Sequence, residues 1–160
     1  VFKRILVCLD GSNLAEHILP HVTEMAMQGP TKVTLLEVLP EHVEVTTGVT
    51  QRTPSSVEHH SEEYLQGLAS PLTAAGVDVK SVTILGKPAE AIIKYARDNQ
   101  IDVIAMATHG RGGLQNTLFG SVAQHVLRES GLPLLLMRPS ITSLRRAQRA
   151  QAQREPVVQR

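Results

Sequence analysis

Ile101-Asp102-Val103-Ile104-Ala105-Met106-Ala107-Thr108-His109-Gly110-Arg111-Gly112-Gly113 is the stretch on which the fold turns. From Ile101 to Ala107 it is short, apolar and nearly continuous, which reads as a strand buried on both faces. Glycines follow at once, and Gly120-Ser121 then opens a helical pattern that runs to about Ser130 and is closed by Gly131. A doubly buried strand, a glycine-rich turn and a helix in that order form one unit of a parallel sheet covered by helices.

The same alternation extends in both directions. Lys3 to Leu9 reads as a first buried strand, and the turn Asp10-Gly11-Ser12 ends it. Ser12 or Asn13 can cap the helix that follows, in which Leu14, Ile18, Val22, Met25 and Ala26 recur at helical spacing until Gly29-Pro30. Pro20 is expected to kink it. Lys32 to Leu39 is a second strand, and residues 40–53 read as a long polar loop. Pro54-Ser55-Ser56-Val57-Glu58 carries a capping-box pattern, and Val57, Tyr64, Leu65, Leu68 and Leu72 then follow one helical face until Gly76. Val77 to Leu85 alternates imperfectly, as a strand nearer the sheet's edge does. Gly86-Lys87-Pro88 places a proline at the first position of a third helix striped by Ala89, Ile92, Ile93 and Ala96. Pro133 to Arg138 is the fifth strand. Five strands alternating with four helices predict one open parallel α/β sheet with helices on both faces and right-handed crossovers.

Composition narrows the functions such a sheet could carry. The chain has 160 residues, one domain's worth, with 16 Lys plus Arg against 15 Asp plus Glu. No global field drives it onto nucleic acid or an anionic membrane. Without Trp, and with two Tyr and two Phe, it has few rings on which bases could stack. The single cysteine, Cys8, lies within an apolar run and reads as a small buried thiol. No stretch approaches the roughly 18 apolar residues of a spanning helix, and Val1-Phe2-Lys3-Arg4 lacks a signal peptide's apolar run, so a cytoplasmic location is expected. Residues 1–139 form the expected domain. Residues 140–160 form a tail in which Ile141 to Arg160 carries five Arg and one Glu, leaving eleven basic and fourteen acidic residues in the body. The tail reads as a solvated segment.

Open parallel sheets bind ligands beyond the carboxyl ends of their strands, so the turns after strands are the places to look. The richest is Gly110, nine residues, then Gly120-Ser121 at a helix start. Glycines admit an anion close to the backbone, and the first amides of a helix carry unpaired N–H groups, so phosphate is the natural guest. The segment lacks the Gly-Lys-Ser/Thr of a P-loop, and Gln115 stands where a dinucleotide fingerprint needs its third glycine. Taken alone, these glycines read slightly better as a flexible turn, and Ser121 as a cap, than as a phosphate site. His17 and His21 lie four apart but read as a solvated face, and the adjacent His59 and His60 cannot chelate together. No Cys-x-x-Cys, His-Glu-x-x-His or Gly-x-Ser-x-Gly occurs, which argues against a zinc site or a hydrolase nucleophile elbow.

In its motifs the chain resembles the universal stress protein family. Nucleotide-binding members carry Gly-x-x-Gly, nine residues, then Gly-Ser or Gly-Thr. Ala107-Thr108-His109-Gly110, nine residues and Gly120-Ser121 match at every defined position but the first. Ile5 to Ser12, Leu35-Leu36-Glu37-Val38, Gly86-Lys87-Pro88-Ala89, Asp102 to Met106 and Pro133 to Met137 extend the resemblance over residues 3–139. It implies strand order 3-2-1-4-5, the adenine nucleotide hydrolase-like arrangement, with ATP and Mg²⁺ bound across strands one and four. By position, Asp10 would meet the ribose or the phosphate-bound metal, and the Val38 backbone would recognise adenine. Met106 and Ala107 would line the sugar, while Gly110, Arg111, Gly120, Ser121 and Val122 would surround the phosphates. A homodimer paired through Pro133 to Met137 is implied as well. Glu37 stands where the family more often has His, and is expected to face solvent or a partner near its strand end, with no role assigned.

Three functions follow from these readings. The first is an ATP-binding, nucleotide-responsive stress or regulatory module that is not an enzyme. The second is a slow ATP-hydrolysing or adenylyl-transferring enzyme, for which only Asp10 and Arg111 offer themselves as metal ligand or charge clamp. The third is a dimeric interaction protein with an empty crevice, supported in the motif by Ala107 alone.

Overall fold

The computed structural model of the chain describes residues 2–41, 54–108 and 120–138. Its strands are β1 (Arg4–Leu9), β2 (Lys32–Leu39), β3 (Asp78–Leu85), β4 (Val103–Ala107) and β5 (Leu134–Met137). They pair in parallel in the order β3-β2-β1-β4-β5. The order reverses between β1 and β4, and a crevice at the carboxyl ends of these two strands is the geometric consequence.

Why β1 sits at the centre is plain from its side chains. Ile5 to Leu9 are all buried, so the strand needs a cover on each face. Ile5, Val7 and Leu9 face α1 (Leu19–Ala26) and α2 (Pro54–Ala74), joined by Val33 and Leu35 of β2. Leu6 and Cys8 point the other way, against Ala89, Ile92 and Ala96 of α3 (Pro88–Asp98) and Ala123 and Val126 of α4 (Ser121–Glu129). The edges differ in length: β3 has eight residues and β5 four. Among the described residues, no helix is long and apolar enough to cross a membrane.

Several local expectations are corrected. The segment after Ser12 is not one kinked α-helix. A 3-10 turn spans Ala15–Ile18, and α1 begins at Leu19. Pro20 therefore stands in the first turn of α1, where its missing N–H costs nothing. α2 already starts at Pro54, so the serines of the capping-box pattern lie inside its first turn. β3 starts at Asp78 and β4 at Val103, later than the apolar runs suggested, because Val77 and Ile101 are buried outside the strand ladder. Glu37 faces neither solvent nor partner: it is 7% exposed, on the same face of β2 as Val33 and Leu35. The loop of residues 42–53, Gly110, Arg111 and the tail lie outside the described residues.

Candidate functional site

Two turns converge where the strand order reverses. After β1, Asp10 makes an Asx turn: its Oδ1 accepts the Ser12 N–H at 3.0 Å and the Ser12 hydroxyl at 2.6 Å. Gly11 between them has φ +75°, a conformation that favours glycine. Ser12 then ties the turn to the 3-10 segment, since its Oγ accepts the Ala15 N–H at 3.2 Å. Neither Ser12 nor Asn13 occupies the cap position expected from the sequence: Leu14 precedes the 3-10 segment and Ile18 precedes α1, and neither helix has a side-chain cap.

The other turn precedes α4. Gly120 holds an extended backbone (φ −60°, ψ 159°), and no side chain caps the helix there. The amides of Ser121, Val122 and Ala123 belong to the first turn, whose N–H groups have no partner within the helix. Between the two turns lies a cavity of about 270 Å³, near the lower end of the range for small-molecule pockets. Leu36, Val38, Ile92 and Met106 give it apolar walls, while Asp10, Thr108, Gly120 and Ser121 bring polar groups. Thr108 is anchored by its N–H to the Met137 carbonyl at 2.8 Å.

Of the residues singled out from sequence, Asp10, Val38, Met106, Ala107, Gly120, Ser121 and Val122 all line this one cavity. Gly110 and Arg111 lie outside the described residues. Sequence reasoning did not assign the site Cys8, Ala15, Pro88, Ile92 and Thr108, which line it too. Pro88 had a signal, because a helix starting directly after β3 begins at the carboxyl ends of the strands. Burial pushes the Cys8 thiol from 9.0 up to about 12, so it stays neutral in the cavity wall.

On the far side of the Asp10 turn the chain gathers further carboxylates. Burial raises the Tyr64 hydroxyl well above its usual range, and the charges of Glu16, Glu37 and Asp10 raise it further. A wider hollow of about 690 Å³ lies between α2 and β3, but surface groups such as His59, Glu62, Glu63 and Gln66 line it and no strand ends converge there. His17 Nδ1 lies 2.8 Å from the Asn13 carbonyl, and His59 pairs with Glu63 at 3.3 Å. Among the described residues no group of three or more His, Cys, Asp or Glu could hold a metal ion.

With this geometry in view, comparisons with known proteins agree among themselves. The family model described as universal stress protein family matches residues 2–138. Universal stress protein MJ0577 of Methanocaldococcus jannaschii is 29% identical over 155 residues, covering 86% of this chain and 96% of that protein. A solved structure of MJ0577 superimposes with a TM-score of 0.72 at 28% identity, over 87% of this chain and 97% of that chain. A universal stress protein in complex with cAMP matches with a TM-score of 0.67 at 18% identity, over 87% of this chain and 98% of that one. Another, from Archaeoglobus fulgidus in complex with dAMP, matches with a TM-score of 0.62 at 19% identity, over 85% of this chain and 98% of that one. At such identities the last two bear on the fold.

Proposed function

The chain belongs to the universal stress protein family, and from that premise we propose that it binds ATP with Mg²⁺ in the cavity between β1 and β4, as a nucleotide-responsive regulatory module. One observation carries the reading: a helix start with no side-chain cap faces an acidic turn across a cavity with apolar walls. The polyphosphate would take the amides of Ser121 and Val122, where the helix dipole favours negative charge. Asp10 would meet the ribose or the phosphate-bound metal. Adenine would lie by the Val38 backbone against Leu36 and Met106, with Ala107 beside the sugar. Gly110 and Arg111 join the phosphate side on the resemblance alone. That two proteins of this fold and family were solved with cAMP and dAMP supports an adenine nucleotide as the ligand class.

Turnover is not part of the proposal. Phosphoryl transfer needs a positioned base and a charge clamp on the moving group, and in the described part of the cavity Asp10 is the one ionised side chain that could serve. The second element of the proposal is a homodimer. β5 is a four-residue apolar edge strand, Leu134 to Met137, with no charge along it to discourage pairing. A second copy of the same edge is its natural cover.

The test is mass spectrometry of the purified, denatured protein together with calorimetric titration of MgATP. Co-purified ATP and a Kd of about 1 μM, worth roughly 8 kcal/mol, are expected. Co-purified ADP or AMP would favour slow hydrolysis. No nucleotide and no heat of binding up to about 1 mM would favour the empty interaction protein.

A further inference from the structure

We propose that Glu37 is a positioning residue for the turn Asp10-Gly11-Ser12, holding it from beneath through a hydroxyl chain anchored on α2 and β3. The proposal rests on the nucleotide reading of the cavity for its functional meaning, and on the described geometry alone for its mechanics.

Glu37 stands opposite Leu9, the last residue of β1, so its side chain emerges one residue before the turn. A carboxylate this buried must be compensated by hydrogen bonds. Ser61 of α2, itself 3% exposed, donates its hydroxyl to Glu37 Oε2 at 2.5 Å. The Ser61 Oγ also lies 2.8 Å from Thr83 Oγ1 on β3. Each hydroxyl has one proton, so Ser61, having donated to Glu37, accepts from Thr83. The chain runs one way, Thr83 to Ser61 to Glu37, and fixes the carboxylate from two neighbouring elements.

The other oxygen faces the turn. A Cβ placed on Gly11 would lie 3.3 Å from Glu37 Oε1, closer than ordinary packing, and Gly11 already has φ +75°. Glu37 Oε1 therefore bounds the space beside Gly11, and a residue with a Cβ there would be strained by its φ and would have to displace the carboxylate. A leucine would fill similar space without adding to the negative charge of Glu16 and Asp10, which together with Glu37 act on Tyr64, and that added charge opposes a polyphosphate. What the carboxylate adds over leucine is a directional hydrogen bond, so its position is set by bonding as well as by packing.

Substitutions at Glu37, Asp10 and Ser61 separate positioning from bulk stability. Glu37→Gln keeps shape and acceptor, and should change MgATP affinity less than about threefold; Glu37→Ala should weaken it about tenfold. In an Asp10→Ala background Glu37→Ala should cost less than about threefold, because the residue it positions is gone; equal losses in both backgrounds would overturn the proposal. Amide hydrogen exchange supplies an arm that needs no nucleotide. The Ser12 and Ala15 amides, bonded within the turn, should exchange at least about tenfold faster in Glu37→Ala and be restored in Glu37→Gln, while Ile104 on β4 and Thr108 just beyond it stay protected. Unchanged exchange at Ser12 and Ala15 would overturn it. If Glu37→Ala loses protection at Ile104 and Thr108 too, the milder Ser61→Ala decides by the same amides, with about threefold acceleration expected and none refuting. Failure of the parent protein to bind MgATP would sink the nucleotide reading, and the exchange arm would still decide this one.

Discussion

The two turns that meet at the cavity are built in opposite ways. The turn after β1 is closed on itself: Asp10 takes both donors of Ser12, and Ser12 takes the Ala15 amide. It also stands on the central strand, with β2 and β4 on either side. The start of α4 has no side-chain cap, and the flank it belongs to leans on β5, a four-residue edge. A turn whose own hydrogen bonds are made can orient a ligand but gains little from it. A helix start without a cap gains partners when an anion arrives. The β4 flank should therefore carry most of the affinity, and the β1 flank most of the geometry.

The largest effect removes the support of the weaker flank. The Pro133 and Met137 carbonyls accept from Ile104 and Thr108, so by the alternation of a parallel strand Leu135 also bonds to β4 while Leu134 and Leu136 present their amides outwards. Leu135→Pro should cost about 3 kcal/mol or more and lower the melting temperature sharply. Leu136→Pro should leave the sheet intact and, by sedimentation, convert a dimer to a folded monomer. Two folded dimeric variants would move the interface away from β5.

A smaller effect reverses the contrast between the turns. Gly120→Asp would give α4 the cap it lacks, because the extended backbone at Gly120 suits an N-cap and an added Cβ meets nothing within 4 Å. Stability should rise by about 0.5–1 kcal/mol, a gain of roughly 1–4 °C. MgATP affinity should fall at least about a hundredfold, since the carboxylate takes the amides and repels the phosphates. A stabilised variant that still binds would place the phosphates elsewhere.

How far this contrast could be read from sequence depended on the range of the interactions. Pro88 at the start of α3 and the apolar runs of β1, β2 and β4 are local signals, and each element stands within two residues of where they pointed, β4 starting at Val103 and not at Ile101. The 3-10 segment at Ala15–Ile18 was not legible, because Leu14, Ile18 and Val22 fit an α-helical stripe as well as they fit a 3-10 turn followed by α1. Glu37 was misjudged for a different reason. Its phase with Val33 and Leu35 already pointed inwards, but a buried carboxylate is credible only with partners, and Ser61 and Thr83 lie on α2 and β3, 24 residues away for the first. Asp10, Val38 and the Gly120 segment were named as a candidate site through the resemblance; that they line one cavity depends on the reversal of strand order between β1 and β4.

Asp10→Asn probes the closed turn with a moderate effect. An amide oxygen can still accept from Ser12, so the turn and the melting temperature should hold. MgATP affinity should fall about tenfold by calorimetry, roughly 1.4 kcal/mol, for loss of one charge-assisted contact. Repeating the titration with EDTA sharpens the result. A loss that disappears without Mg²⁺ assigns Asp10 to the metal, and one that persists assigns it to the ribose.

The smallest effect concerns Ala107, the one defined position at which the glycine motif departs from the family pattern. If that position needed glycine, the β4 flank would be impaired for binding and the contrast between the turns would have no functional content. Glycine is needed where the backbone is left-handed or where a methyl would obstruct a neighbour. Ala107 is neither: it closes β4 in ordinary strand pairing with Met137, and the next amide, Thr108 N–H, is held by the Met137 carbonyl at 2.8 Å. Ala107 is one of the residues that line the cavity. Ala107→Gly should thus lower stability by about 0.5–1 kcal/mol through added freedom of the unfolded chain. MgATP affinity should change less than tenfold, under about 1.4 kcal/mol. A gain well beyond tenfold would mean that one methyl holds the β4 flank shut, and that this chain has lost a ligand which its fold still has room to receive.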